Sequence, residues 1–244
     1  EDNALNRNAK KYDAAINQIK NVAYEKLTST QPLPPIDKKP EDTSIWSITS
    51  EFAPIKEGGL GSVPVEVRNN IAKLGVKIPT FVPMYLHEGI STFSKEDDEL
   101  VYNYKGKQFN VEKLAAFKMD VFKDGKPQTV PVEFYVNTTE GKVGEQKQLI
   151  FIKCDQYFDG TIYESNSKTE EQEKFAVMSK AVYEFAKLIM DGRQALKDVE
   201  ISSSNLFREI LPPDALMLND WQASPIAALA RYKSGMENAY GKLS

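Results

Sequence analysis

Residues 50–63 read Ser-Glu-Phe-Ala-Pro-Ile-Lys-Glu-Gly-Gly-Leu-Gly-Ser-Val. They close an apolar run, Ile45–Ser50, whose length and composition suit a buried strand. A loop follows that carries Lys56, Gly58, Gly59 and Gly61. Beyond it Val63, Val67, Ile71 and Leu74, spaced by four, four and three, predict an amphipathic helix over Leu60–Leu74. A strand, a glycine-rich loop and a helix in this order aim free backbone N–H groups at whatever lies above the sheet. Glycines admit close approach to the backbone, and the loop lysine adds a full positive charge. The arrangement suits a phosphate or a sugar hydroxyl; the same spacing also suits a plain tight turn with a solvated lysine.

Working outward, Ile78–Val82 reads as a second strand, and a strand–helix–strand connection this short implies parallel pairing and a right-handed crossover. Leu100–Tyr104 and Ala116–Phe122 resemble strands. Lys123-Asp124-Gly125-Lys126 carries the Asp-Gly turn signal, and Val130–Val136 alternates after it, predicting an antiparallel hairpin inserted into the parallel sheet. Polar residues 140–148 read as a loop, and Leu149–Lys153 returns to the sheet. Glu170–Met190 is the clearest helix, with Phe175, Met178, Val182, Phe185 and Ile189 forming its buried stripe. Ala215–Leu218 reads as a short buried strand, and Ser224–Tyr232 as a helix with Pro225 near its start. The expected fold is therefore α/β, a doubly wound, mostly parallel sheet whose ligands lie at the carboxyl ends of the strands. Both candidate sites fall there: the Lys56 loop, and Asn219-Asp220-Trp221-Gln222 after the last strand.

The N-terminal 43 residues read separately. Leu5, Ala9, Tyr12, Ile16, Ile19 and Ala23 make a helical stripe over residues 4–27, and the proline-rich stretch Thr28–Asp42 reads as an extended, mobile linker. The domain proper is expected over residues 44–244. Because the chain opens on Glu1, a piece of a longer protein is expected.

A net charge of −4 creates no global field for nucleic acid or anionic lipid, so an anionic substrate must meet a local site. The single cysteine, Cys154, excludes an intrachain disulfide framework, fits a reducing, cytoplasmic compartment, and sits in an apolar run that predicts a buried thiol. A lone histidine, His87, rules out a multi-histidine metal site. No apolar stretch approaches the roughly 18 residues of a membrane span. Gly-x-Gly-x-x-Gly is absent from the first βα turn, which argues against a generic dinucleotide-binding domain.

Several segments, in order, resemble the N-terminal domain of glycogen synthases and bacterial-type starch synthases, retaining glucosyltransferases of glycosyltransferase family 5 with the two-domain GT-B architecture. Ser50–Pro54 is similar to the family's Ser-Glu-x-Ala-Pro, and Lys56–Leu60 to its Lys-x-Gly-Gly-Leu. Leu74-Gly75 and Phe81-Val82-Pro83-Met84-Tyr85 look like the next helix end and the strand running into Pro-x-Tyr. Phe158–Tyr163 is similar to the segment before the family's long helix, where Lys174-Phe175 stands for the usual Arg-Phe. Pro213–Gln222 looks like the Pro-Asp…Asn-Asp-Trp-His/Gln signature, so the likeness runs from about residue 44 to residue 232.

The resemblance implies transfer of glucose from ADP-glucose or UDP-glucose to an α-1,4-glucan, with a C-terminal domain holding most of the nucleotide. It implies that Lys56 meets the donor phosphates as the catalytic cation and that Gly58 and Gly59 present N–H groups beside them. It places Asn219, Asp220 and Gln222 at the substrate, and it calls for no metal and no cofactor. Three departures stand out: Ser62 replaces an Asp, Met217 a His, and Glu170-Glu171 an Asp-Asn pair. They leave open a second reading, a degenerate, non-catalytic glucan-binding or regulatory paralogue. The sequence ends at Ser244, ahead of the family's second domain, so this stretch alone is expected to be inactive.

Overall fold

Ile45–Ile48 forms a strand, β1, because cover is available on both of its faces: Trp46 and Ile48 are fully buried on one, Ser47 and Thr49 on the other. The structure is a computed structural model that describes residues 38–123, 126–139, 147–163, 168–192, 196–202 and 205–232. After β1 come α1 (Ser62–Ala72), β2 (Ile78–Pro83), β3 (Ser91–Glu96), β4 (Glu99–Tyr104), β5 (Lys107–Lys123) and β6 (Lys126–Asn137). They are followed by β7 (Lys147–Lys153), the single turn α2 (Asp155–Phe158), α3 (Lys168–Asp191), β8 (Lys197–Ile201), β9 (Ala215–Leu218) and α4 (Pro225–Tyr232).

Among the described residues these strands make one nine-stranded sheet in the order β3-β4-β5-β6-β7-β2-β1-β9, with β8 paired to β5. Only β7, β2, β1 and β9 run parallel to their neighbours; β3 to β6, the β6–β7 pair and β8 are antiparallel. The expected mostly parallel sheet is thus a mixed one. The reason lies in the connections. Asp97-Asp98 and Lys105-Gly106 are two-residue turns with positive φ throughout, the geometry that returns a chain antiparallel beside itself. β5 and β6 pair along nearly their whole length, from Val111 opposite Asn137 to Lys123 opposite Lys126; Asp124 and Gly125 lie outside the described residues. This pairing includes residues 116–122 and 127–133, one part of an antiparallel run on the outer flank of β7. The run does not interrupt the parallel strands, because β2 still pairs directly with β7.

α3 packs an aromatic cluster onto the sheet. The Phe185 ring stacks on Phe134 at 4.3 Å and meets Trp46, Phe81 and Phe207 at 5.7–5.9 Å. Phe175, Met178 and Val182 are fully buried as expected, but so are or nearly are Ala181, Tyr183, Ala186 and Leu188, so the helix is covered well beyond one stripe. α1 differs from its expected face. Its buried residues are Pro64, Arg68 and Ala72, while Val63 is 53% exposed; the helix ends at Ala72, so Leu74, expected in its stripe, lies beyond it and is 69% exposed. The Arg68 guanidinium lies 4.3 Å above the Phe52 ring, a cation–π contact that lets a charged residue occupy the inner face.

The expected helix over residues 4–27 and the loop residues 140–146 lie outside the described residues. The end of the predicted linker is not extended: Pro40–Asp42 forms a 3₁₀ turn, and Lys38 pairs with Asp214 at 2.5 Å. Asp214 also accepts the Ser44 N–H at 3.0 Å, tying the entry of β1 to that of β9. Cys154 is buried, and burial pushes its thiol up to about 11. No helix among the described residues is long and apolar enough to cross a membrane.

Candidate functional site

Because β7, β2, β1 and β9 run parallel, the segments leaving their carboxyl ends share one edge of the sheet. Those segments are the Lys56 loop, Met84-Tyr85, residues 154–163 and Asn219–Gln222. All four are tied together by hydrogen bonds; residues 154–163 join through Leu86, whose N–H donates to the Phe158 carbonyl at 2.9 Å and whose carbonyl accepts the Gly160 N–H at 2.7 Å. The Tyr85 hydroxyl donates to the Ser50 carbonyl at 2.9 Å. The Asn219 side-chain amide donates to the Ser47 hydroxyl and the Ile48 carbonyl, each at 3.0 Å. Asn219 therefore joins the ends of β1 and β9, with its amide donors already engaged.

The glycine loop has an internal organiser. Glu51 is fully buried, and its Oε2 accepts the Gly61 N–H at 3.0 Å and the Gly58 N–H at 3.4 Å. The same carboxylate has the Tyr163 hydroxyl within hydrogen-bonding reach. Lys56 is half-buried and folds back across Gly61, so that its Nζ donates to the Ser62 hydroxyl at 3.1 Å. A Cβ on Gly61 would lie 2.6 Å from Lys56 Cβ, whereas one on Gly59 would meet nothing within 4 Å. The three glycines thus differ. Gly61 is required by the crossing side chain, Gly58 has its N–H turned toward Glu51, and Gly59 is exposed beside open space.

At the second loop Asp220 holds a left-handed backbone, φ 65°, and its carboxylate accepts the Trp221 N–H at 2.7 Å, capping the 3₁₀ turn Trp221–Ala223 that leads into α4. Gln222 is buried with its Oε1 lacking a partner among the described residues. Trp221 stands edge-on to Phe175 at 5.5 Å and keeps 46% of its surface exposed. Met217, in place of the expected His, lies within β9 opposite Ser47. Glu170 and Glu171 sit in the first turn of α3, where the helix dipole favours acids.

Four residues at this edge were not singled out from the sequence. Tyr163 is one: partial burial and the Glu51 carboxylate beside it push its phenol above the ordinary range. Tyr104 is a second, buried at the end of β4 with a hydroxyl that has no partner among the described residues and that burial and the charges of Glu57 and Glu51 push up to about 12. The third, Lys105, reaches from the β4–β5 turn to the Lys56 carbonyl at 3.4 Å. The fourth is Glu51; it and Tyr163 stood inside family-like segments, Ser50–Pro54 and Phe158–Tyr163, without being marked as site residues. Lys174, the stand-in for the family's Arg, is buried and donates to the Thr161 carbonyl at 2.8 Å, holding the segment before α3.

Two cationic side chains, Lys56 and Lys105, an exposed glycine, Gly59, and the exposed Asp220 and Trp221 therefore line the carboxyl edge. That is a surface able to meet both an anion and a polyhydroxylated ligand. No curated protein matches the chain. The family model described as the starch synthase catalytic domain matches residues 44–243, a span that includes every strand and α-helix placed above, and the chain belongs to that family.

Proposed function

We propose that this chain supplies the acceptor-side, Rossmann-like half of a GT-B glucosyltransferase that passes glucose from ADP-glucose or UDP-glucose to an α-1,4-glucan with retention of configuration. The observation that carries the reading is the parallel pairing of β1 with β9, Ile48 opposite Leu218, which brings the Lys56 loop and the Asn219–Gln222 loop to one edge. In the reaction the C1–oxygen bond to the diphosphate breaks, the glucan hydroxyl oxygen bonds to C1 from the same face, and the hydroxyl proton passes to the departing diphosphate. The negative charge that grows on the departing diphosphate is met by the Lys56 ammonium and by the N–H groups around Gly59. Asp220 and Gln222 offer oxygen acceptors to glucan hydroxyls, and Asn219 holds their loop in place. The nucleotide itself is held chiefly by the family's C-terminal domain, and the setting is cytoplasmic.

Incorporation of labelled glucose into glycogen, from each donor separately, tests this. Lys56→Ala should cost about 3 kcal/mol of transition-state stabilisation, on the order of a hundredfold in rate. Equal activity of wild type and variant would remove Lys56 from the site. An inactive wild type that still binds malto-oligosaccharide would favour the non-catalytic, glucan-binding reading, with Ser62 and Met217 as its cause.

A further inference from the structure

We infer that Glu51 is the positioning residue of the glycine loop: by holding the Gly61 and Gly58 N–H groups it fixes the path along which Lys56 presents its ammonium. The catalytic part of this inference rests on the reading of Lys56 given above; the structural part does not.

Three contacts in series link Glu51 to Lys56 and Ser62. Glu51 Oε2 accepts the Gly61 N–H at 3.0 Å. Gly61 in turn lies so close under Lys56 that an added Cβ would stand 2.6 Å from Lys56 Cβ and 3.2 Å from its Cδ. Lys56 Nζ then reaches the Ser62 hydroxyl at 3.1 Å. Moving Gly61 therefore moves the stem of Lys56. The Gly61 carbonyl anchors the loop a second time by accepting the Ala53 N–H at 2.8 Å. A fully buried carboxylate is costly unless charge-assisted hydrogen bonds offset its desolvation, and backbone N–H donors provide them. Glu51 itself is held from the strand end, where the Thr49 hydroxyl donates to its carbonyl at 2.6 Å. The rigid sheet thus reaches the exposed loop through one carboxylate.

The test uses the isotopically labelled protein and its Glu51→Gln variant, which keeps the shape and removes the charge. In the wild type the Gly61 amide proton should resonate downfield and exchange slowly. In Glu51→Gln it should move upfield and exchange roughly tenfold faster, while amides of β2 and β7 stay unchanged. The kinetic readout is a double-mutant cycle: Glu51→Gln should lower kcat with little change in the glucan KM, and combined with Lys56→Ala it should be no worse than Lys56→Ala alone. An unaltered Gly61 amide, or losses in kcat that multiply independently, would overturn the assignment. A wild type without turnover would sink the proposed reaction, yet the amide measurement would still decide whether Glu51 holds the loop.

Discussion

Gly61→Ala isolates the steric part of the site. Gly61 sits at φ −60°, ψ −16°, a conformation that any L-residue accepts, so backbone strain plays no part. On backbone grounds alone alanine should stabilise by about 0.4–1 kcal/mol, because the unfolded chain loses freedom. Against that stands the new methyl, 2.6 Å from Lys56 Cβ, 3.2 Å from Lys56 Cδ and 3.3 Å from Glu51 Oε2. The nearest of these is bonded directly to the Lys56 backbone and cannot rotate aside, so the loop itself must shift. Overpacking of this kind costs about 1–3 kcal/mol. The steric term wins, and the net expectation is a destabilisation of about 1–2 kcal/mol. Gly59→Ala is the control: its Cβ would meet nothing within 4 Å, and it should be neutral or slightly stabilising. Urea unfolding of the three proteins measures both, with the midpoint shifting and the slope unchanged. A Gly61→Ala protein as stable as wild type would refute the packing of Lys56 over Gly61.

Phe185→Ala, which removes the ring stacked on Phe134, should cost about 3–5 kcal/mol in the same assay; a loss under 1 kcal/mol would contradict the burial of that cluster. Burial pushes the Glu133 carboxyl up, but the hydrogen bond and charge of Lys113 and the charge of Lys153 outweigh it, leaving it below its ordinary value of 4.5. A depressed carboxyl stabilises the fold above its unfolded value and loses that contribution as pH falls through its folded one. The stability gap between wild type and Glu133→Gln, expected to be no more than about 1 kcal/mol for a partly exposed pair, should be constant above about pH 5 and close in more acid solution. A gap that widens in acid would reverse the sign. Cys154, buried and with its thiol pushed up to about 11, should resist an aromatic disulfide reagent at pH 8 until the protein is unfolded.

The parallel half of the sheet was legible because each of its strands is an apolar run with turn or helix signals on both sides. Ile45–Ile48, Ile78–Pro83 and Ala215–Leu218 match their sequence readings to within a residue or two. The antiparallel flank was legible only where alternation was strong. Ser91–Glu96 and Lys197–Ile201 are rich in polar residues, and their strand state comes from pairing with β4 and β5, a tertiary effect that no local pattern carries. α1 shows the opposite failure. Its apolar spacing marked Val63 as inward, whereas the helix turns Arg68 inward onto Phe52. A period alone gives the existence of a helix and not the direction of its face when a long side chain can pack its stem against an aromatic ring.

The site was legible as a set of loops but not as a mechanism of support. Lys56, Gly59 and Asn219–Gln222 were marked by sequence, yet nothing in a linear reading says that Gly58 turns its N–H toward Glu51 or that Asn219 has committed its amide to β1. The exchange of the family's Asp for Ser62 changes meaning once the geometry is known. Read as a letter, it removes an acid from a motif. In the fold, Ser62 is the hydrogen-bond partner of Lys56, and a hydroxyl orients an ammonium without cancelling its charge. A carboxylate in the same place would offset part of the attraction between Lys56 and an arriving phosphate. The acid that remains in the loop, Glu51, is buried and turns one oxygen to backbone N–H groups, while the lysine ammonium meets a hydroxyl, that of Ser62. Ser62→Asp therefore discriminates between the two readings of this chain. If Lys56 works by charge, the substitution should weaken donor binding and rescue nothing; if the chain is degenerate for want of that acid, the substitution should restore turnover.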